Sequence, residues 1–430
     1  VDALAAVQEK GTSGWLSELR RDAFSRFEAL GFPTTRNEDW HFTSVTPIAE
    51  RTFKPVPPRV SSSLRPVDIA ALVIADPSWH RLVFVDGRFE PGLSMFSGLP
   101  ADVRVMTLAE AMKQAPELVA EHLGKLASFQ KDTFTALNTA LLQDGVFVQV
   151  PHGVVVDEPI HVVHVATDRA QGAAIHPRLL ALVGPLAHVT VVESYAATRQ
   201  AGYFTNAVAE IEVGNGARVN HYKIQRESGE AFHVGTVQVT QGRDSVFHSF
   251  SYAAGAALSR TNVYTKLNGE GGEARLNGLY MVDGTQHADH QTFVEHLAPA
   301  CASRELYKGI LDGASHGVFN GKVYVDPVAQ KTDGKQTNHA LLLSDHARVD
   351  TKPQLEIFAD DVKCTHGATV GRLDQASLFY MKSRGIGAEH ARALLTYAFA
   401  AEVLETIEVD ALREGLEQQA FARFTLSDQW

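Results

Sequence analysis

Cysteine is nearly missing from this 430-residue chain: only Cys301 and Cys364 occur. Two thiols are too few for a disulfide framework. With no Cys-x-x-Cys, the chain does not supply by itself the four thiolates of an ordinary iron–sulfur site. Net positive charge is missing as well. Lys and Arg number 39 against 50 Asp and Glu, a formal net charge of −11, so no surplus of cations exists to displace phosphate counterions and nucleic-acid binding is disfavoured. No run of about 18 apolar residues occurs, and the first residues lack a basic-then-apolar leader pattern, which predicts a soluble, cytoplasmic protein without membrane contact. A phosphate-cradling loop is absent too. Gly317-Val318-Phe319-Asn320-Gly321-Lys322-Val323 has the wrong spacing and no hydroxyl after the lysine, so no nucleotide is expected to be bound or hydrolysed. Neither G-x-S-x-G nor H-E-x-x-H is found.

The length allows two or three domains, or one long repetitive one. Trp15, Leu16, Leu19, Ala23, Phe27 and Leu30 recur at helical steps, and Gly31 and Pro33 end that helix. The polar stretch from Arg36 to Thr43 reads as a loop whose Trp40 and Phe42 pack back on the body. Prolines and Ser61-Ser62-Ser63 between Lys54 and Pro66 predict a linker. Leu82 to Val85, the turn Asp86-Gly87, and Arg88-Phe89 predict a hairpin, and Leu108 to Leu126 and Ser128 to Leu142 two helices.

At Asp144-Gly145 the composition changes. Val, His, Thr and Tyr alternate in short runs, and helical patterns vanish until about Leu373. Similar turns punctuate the runs at Gly184, Gly214, Gly242, Gly269, Gly313 and Ser344, most of them about 30 residues apart. A turn entering a β-branched strand at a near-constant period predicts a parallel β-helix, each coil burying its apolar face against its neighbours. A hairpin meander would turn every 8–12 residues or so, though two strands per period keep a sandwich open. Helical periodicity returns from Ala388 to Ile407 and from Ala411 to Phe424. These helices fit either a cap over the open end of the solenoid or a docking surface for a partner. The expected organisation is therefore 1–143 mixed and mostly helical, 144–376 β-helix, and 377–430 helical.

Chemistry is concentrated between Leu341 and Gly385. If Val362 to His366 is extended, Cys364 and His366 project from one face and can reach one metal centre, thiolate and imidazole both being soft-metal ligands. Val362 shares their parity, so for a bare Cys-x-His an ordinary buried thiol and a hydrogen-bonded interior imidazole are the favoured reading at this point. Other constellations carry less. His161 and His164, three apart on a strand, face opposite ways and read as structural. His287, His290 and His296 near Asp283, Asp289 and Glu295 match no metal geometry. Asp345, Asp350, Asp360 and Asp361 would suggest glycan cleavage on a β-helix, but adjacent Asp residues alternate faces and no aromatic sugar platform accompanies them.

The segments Leu341-Leu342-Leu343-Ser344-Asp345, Val349 to Ile357, Ala359-Asp360-Asp361-Val362-Lys363-Cys364-Thr365-His366-Gly367-Ala368-Thr369-Val370-Gly371, and Leu378-Phe379-Tyr380 with Ser383-Arg384-Gly385-Ile386 together resemble the core signature of the SufB/SufD family of iron–sulfur assembly scaffolds. Glu38-Asp39-Trp40-His41-Phe42-Thr43 resembles its early E-x-W-[KH]-[YF]-T element, and Leu137-Asn138-Thr139-Ala140 with Asp144-Gly145-Val146 the start of its β-helix. The SufB side of the family is expected to show a cysteine before the Leu-Leu run. Here Thr337-Asn338-His339-Ala340-Leu341 favours the SufD side, with His339 a departure from the pattern.

The resemblance implies a right-handed parallel β-helix with helical regions at both ends and no catalysis of its own. It implies pairing with a SufB-type scaffold near Cys364 and His366, and docking of a SufC-type ATPase on the helices from Gly387 to Phe424. His366, and Cys364 beside it, would then contribute ligands to a transient iron–sulfur cluster completed across the subunit boundary. An isolated chain could pair with a second copy through the same edge. The alternatives are a structural β-helix adaptor without metal ligation and, less favoured, a β-helix carbohydrate-active enzyme.

Overall fold

Strand follows strand from Val146 to Gly371 because β-branched and aromatic side chains alternate in short runs that suit the pleat. The computed structural model describes residues 14–56, 63–96 and 98–425. Residues 57–62 of the expected linker, including Ser61 and Ser62, lie outside the described residues. In chain order the strands are β1 (His80–Val85), β2 (Arg88–Phe89), β3 (Arg104–Thr107), β4 (Val146–Val150), β5 (Ile160–Ala166), β6 (Ala174–Ile175), β7 (Arg178–Val183), β8 (His188–Ala197), β9 (Phe204–Val213), β10 (Arg218–Arg226), β11 (Phe232–Gln241), β12 (Val246–Ala253), β13 (Leu258–Leu267), β14 (Glu273–Val282), β15 (His287–His296), β16 (Ala302–Leu311), β17 (His316–Val325), β18 (Thr332–Leu342), β19 (Arg348–Ile357) and β20 (Val362–Gly371).

They alternate between two sheets. One runs β2-β1-β5-β8-β10-β12-β14-β16-β18-β20, the other β19-β17-β15-β13-β11-β9-β7-β4-β3 with β6 beside β9. From β5 and β7 onward every pairing is parallel, and each coil repeats the one before at an offset near 30 residues, as Glu305 opposite Gln336 and Gln336 opposite His366 show. This is a β-solenoid of about eight turns, as the periodicity predicts. Its interior is a continuous column that includes Val148, Ala181, Val191, Ile211, Val219, Phe247, Leu276, Val294 and Phe319.

The N-terminal region opens the stack. The hairpin β1–β2 forms as expected, and β1 joins the sheet in parallel with β5. The helix Gly14–Leu30 matches its sequence pattern, and Trp40 packs on Phe134, ring centroids 5.2 Å apart. The single helix expected over Leu108 to Leu126 is instead two, Leu108–Gln114 and Pro116–His122, because Pro116 cannot continue the first and starts the second at its N1 position. The next helix begins at Thr133 rather than Ser128, where the Asp132 carboxylate accepts from the Thr135 N–H at 2.7 Å and caps it.

A buried pair locks this region to the coils. Arg178 donates to Glu210 at 2.5 Å, and the same carboxylate accepts backbone N–H groups of Gly124, Leu126 and Ala127. The C-terminal helices Gln375–Ser383, Ala388–Leu404 and Asp410–Thr425 differ in placement from a cap. Val403, Leu404, Ile407, Leu412 and Leu416 pack on the outward side chains Tyr222, Phe250, Tyr252, Leu279 and Ile310, so the last two helices lie along the flank of the solenoid. The outward face of these strands is apolar, and the helices cover it.

Candidate functional site

The last coil ends in β20, paired with β18 on one side and, among the described residues, with no strand on the other; β19 ends the second sheet likewise. Parity sets its faces. Val362 and Cys364 turn inward and pack near Val323, Val325, Ala329 and Ala359. His366 has the same parity but is exposed, since no further coil covers it. Cys364 and His366 therefore share one inward face at the open end of the stack, as the alternation predicts.

Beneath them lies the inward row of β18. Cys364 stands opposite Gly334, where a Cβ would come within 3.3 Å of Sγ, so the glycine leaves the thiol its seat. Burial pushes the Cys364 thiol above its usual range, opposed by a hydrogen bond from the Gly334 backbone. His366 stands opposite Gln336, which in turn stands opposite Glu305. Gln336 Nε2 donates to Glu305 at 3.2 Å, and Thr292 Oγ1 donates to the same carboxyl at 2.5 Å. Burial raises Glu305 to about 7. Gln336 and Glu305 escaped the sequence reading. Their signal was simple: one coil back from Cys364 and His366 lie Gly334 and Gln336.

His339, the departure from the family pattern, lies on the outward face of β18, opposite in parity to Gln336. Its Nδ1 is 2.5 Å from Thr369 Oγ1, and it neighbours Lys308, which pairs with Glu402 of the flanking helix. It belongs to the helix-covered flank. Gly367 and Gly371 of β20 have nothing within 4 Å of a built Cβ, so packing inside this chain does not require them. Glycine in a strand also marks close approach by another backbone or ligand.

The remaining candidates separate. His161 contacts Ser194 Oγ at 2.8 Å and packs on Trp79, while His164 stacks on Tyr195 at 4.9 Å, so they do face opposite ways. On β15, His287 and Asp289 face outward and meet Thr43, whereas His290 lies inside near Tyr280 and Tyr307. Asp345 pairs with Arg372 and Asp350 with His316. Gly317 to Val323 is strand, not a phosphate loop. Among the described residues, no group of three or more His, Cys, Asp or Glu is arranged to hold a metal ion, and no helix is long and apolar enough to cross a membrane. Cys364 and His366 offer two donors and an open side.

The family model described as the SufBD core domain of the SUF system for FeS cluster assembly matches residues 164–399, and the model of the SufBD protein N-terminal region matches residues 3–162. An iron–sulfur cluster assembly protein SufD of Escherichia coli is 36% identical over 91% of this chain and 88% of its own. An iron–sulfur cluster assembly SufBD family protein of Synechocystis is 34% identical over 94% and 90%, and a SufD of Bacillus subtilis 28% over 94% and 92%. With a solenoid ending in an uncovered Cys364–His366 strand, both family regions matched and SufD proteins aligned along most of its length, the chain belongs to the SufBD family of iron–sulfur cluster assembly proteins, on its SufD side.

Proposed function

We propose that this chain is a non-catalytic scaffold subunit whose last coil pairs with a SufB-type partner, and that His366 and Cys364 supply ligands to a nascent cluster completed across that boundary. The observation that carries this reading is the uncovered edge strand β20, which bears both donors on its inward face. An imidazole nitrogen and a thiolate suit iron, and two donors leave coordination positions for a second chain. Unpaired backbone along β19 and β20 favours a partner that adds strands, and the unrequired glycines Gly367 and Gly371 favour close approach there. In isolation a second copy could occupy the same edge. The cluster is cargo in this reading.

On the same proposal, residues 1–143 anchor the stack, 144–376 form the scaffold and 377–430 dock a SufC-type ATPase. Phe379 and Tyr380, 74% and 59% exposed on the helix Gln375–Ser383, are apolar contacts available for docking beside the flanking helices. For Cys364 alone a second reading has support: its packing beside Val323 and Val325 and its raised thiol suit a structural role.

The test is reconstitution of the complex with SufB- and SufC-type chains, followed by anaerobic iron and sulfide analysis. His366→Ala should cut cluster yield with little change in melting temperature, and Cys364→Ser should cut it less. Normal yield with His366→Ala would defeat the reading.

A further inference from the structure

We infer that Gln336 is a positioning residue for His366, its Oε1 accepting the ring N–H and so fixing which imidazole nitrogen is left free to bind a metal. Three observations on the inward column of β16, β18 and β20 support this. First, Gln336 is 1% exposed, its Nε2 donates to Glu305, and its Oε1 is buried without a hydrogen-bond partner. A buried acceptor left without a donor costs free energy, so a donor within reach is favoured to fill it. Second, the register makes His366 the next inward residue on the adjacent strand, roughly 4.8 Å away along the sheet. Ala368 and Cys364, its inward neighbours on β20, carry no comparable donor, whereas imidazole does.

Third, space has been kept for this amide. A Cβ at Gly321 on the facing sheet would fall 2.1 Å from Gln336 Nε2, so only glycine admits the side chain in its present orientation. The Glu305 carboxyl accepts from Nε2 and thereby holds the amide with its oxygen as the free end. In a neutral imidazole one nitrogen carries hydrogen and the other a lone pair. An acceptor that holds the hydrogen on one nitrogen leaves the lone pair on the other, the arrangement that outer partners of metal-ligating histidines generally provide.

This inference rests on the ligand role of His366, but its test does not. Histidine ring carbons are labelled in the full chain, the His366 signal is assigned by its loss in His366→Ala, and the Cδ2 shift reports the tautomer at a pH well above the usual imidazole range. The wild type should favour one tautomer about fivefold, the size of one modest hydrogen bond. Gln336→Leu should bring the ratio near parity. Because Gln336→Leu also removes a donor from Glu305, Glu305→Gln serves as the second variant: it keeps volume and the Thr292 contact, yet its amide can donate to Oε1 and compete with the ring. It too should lower the preference. A tautomer ratio unchanged in both variants overturns the inference. Cluster yield is then read in the complex: a moved tautomer with normal yield in His366→Ala defeats the ligand role while leaving the positioning intact.

Discussion

Gly334 lies directly opposite Cys364 on the neighbouring strand, and a methyl group there would sit 3.3 Å from the thiol sulfur. That separation is tighter than ordinary van der Waals contact but close enough for the edge strand to yield. Gly334→Ala should therefore change stability by less than about 1 kcal/mol, since the alanine also restricts the unfolded chain. The thiol should tilt outward, so alkylation of Cys364 should be faster than in the wild type. An unchanged rate would mean that the seat does not govern its access.

Arg178 and Glu210 predict the opposite extreme. Both side chains are fully buried, and Glu210 also receives the backbone N–H groups of Gly124, Leu126 and Ala127. Arg178→Ala leaves a buried carboxylate without its cation and should destabilise by about 3–5 kcal/mol. Replacing both partners by apolar residues, which rescues some buried ion pairs, should fail here because the three N–H groups would be stranded. Urea unfolding of the single and double variants measures both.

Acid should unfold the protein early. Burial holds His164, His176, His290 and His296 down to about 4, so they stay neutral in the fold while an unfolded chain protonates below about 6.5. Their contribution is complete above that value and is lost as pH falls toward 4, with a slope of at most about 1.4 kcal/mol per pH unit for each group. Glu305, raised to about 7, works the other way: its contribution is complete in acid below about 4.5 and is lost as pH rises through 7. Four imidazoles outweigh one carboxyl, so the urea midpoint should drop clearly between pH 6.5 and 5. A flat profile would contradict the burial of these rings.

Val370, on the inward face of β20, is 49% exposed with no coil above it. Placing a charge there should penalise any second chain that covers the edge. Val370→Lys should lower self-association of the isolated chain and capture by a SufB-type partner, measured by light scattering and co-purification. Retention of ATPase binding by the same variant would separate the edge from the helical docking surface. Removing the helices outright is a poorer experiment, because it would bare Phe250, Tyr252 and Ile310.

The coil period was legible because each turn of a parallel solenoid meets nearly the same environment, so glycine-led turns recur. It was legible unevenly. Ala256 and Ala300 occupy left-handed corners with φ of 66° and 57°, positions where glycine would have marked the turn. The visible series also changes edges, from Gly184, Gly214, Gly242 and Gly269 on one, whose next corner carries Ala298 in place of the leading glycine, to Gly313 and Ser344 on the other. Pro116 was in plain view, yet helical spacing on both sides of it masked the break. Alternation alone put Cys364 and His366 on one face. That β20 is an edge, and that Gln336 and Gly334 lie beneath it, depends on pairing between residues one coil apart, which alternation within a strand does not encode. The two C-terminal helices were expected, but their place along the flank was not, for a related reason: amphipathic periodicity tells that a face is covered, not which surface covers it.

A stack of coils has only two places where its inner column meets the outside. Gln336 and His366 occupy equivalent positions on successive strands, yet one is sealed and the other is open solely because the chain stops coiling after Gly371. Local motif and accessibility are thus set by different parts of the sequence. One added coil, copying the turn and strands that precede it, would leave every atom of Cys364 and His366 where it is and still shut them away; the number of repeats acts as the gate.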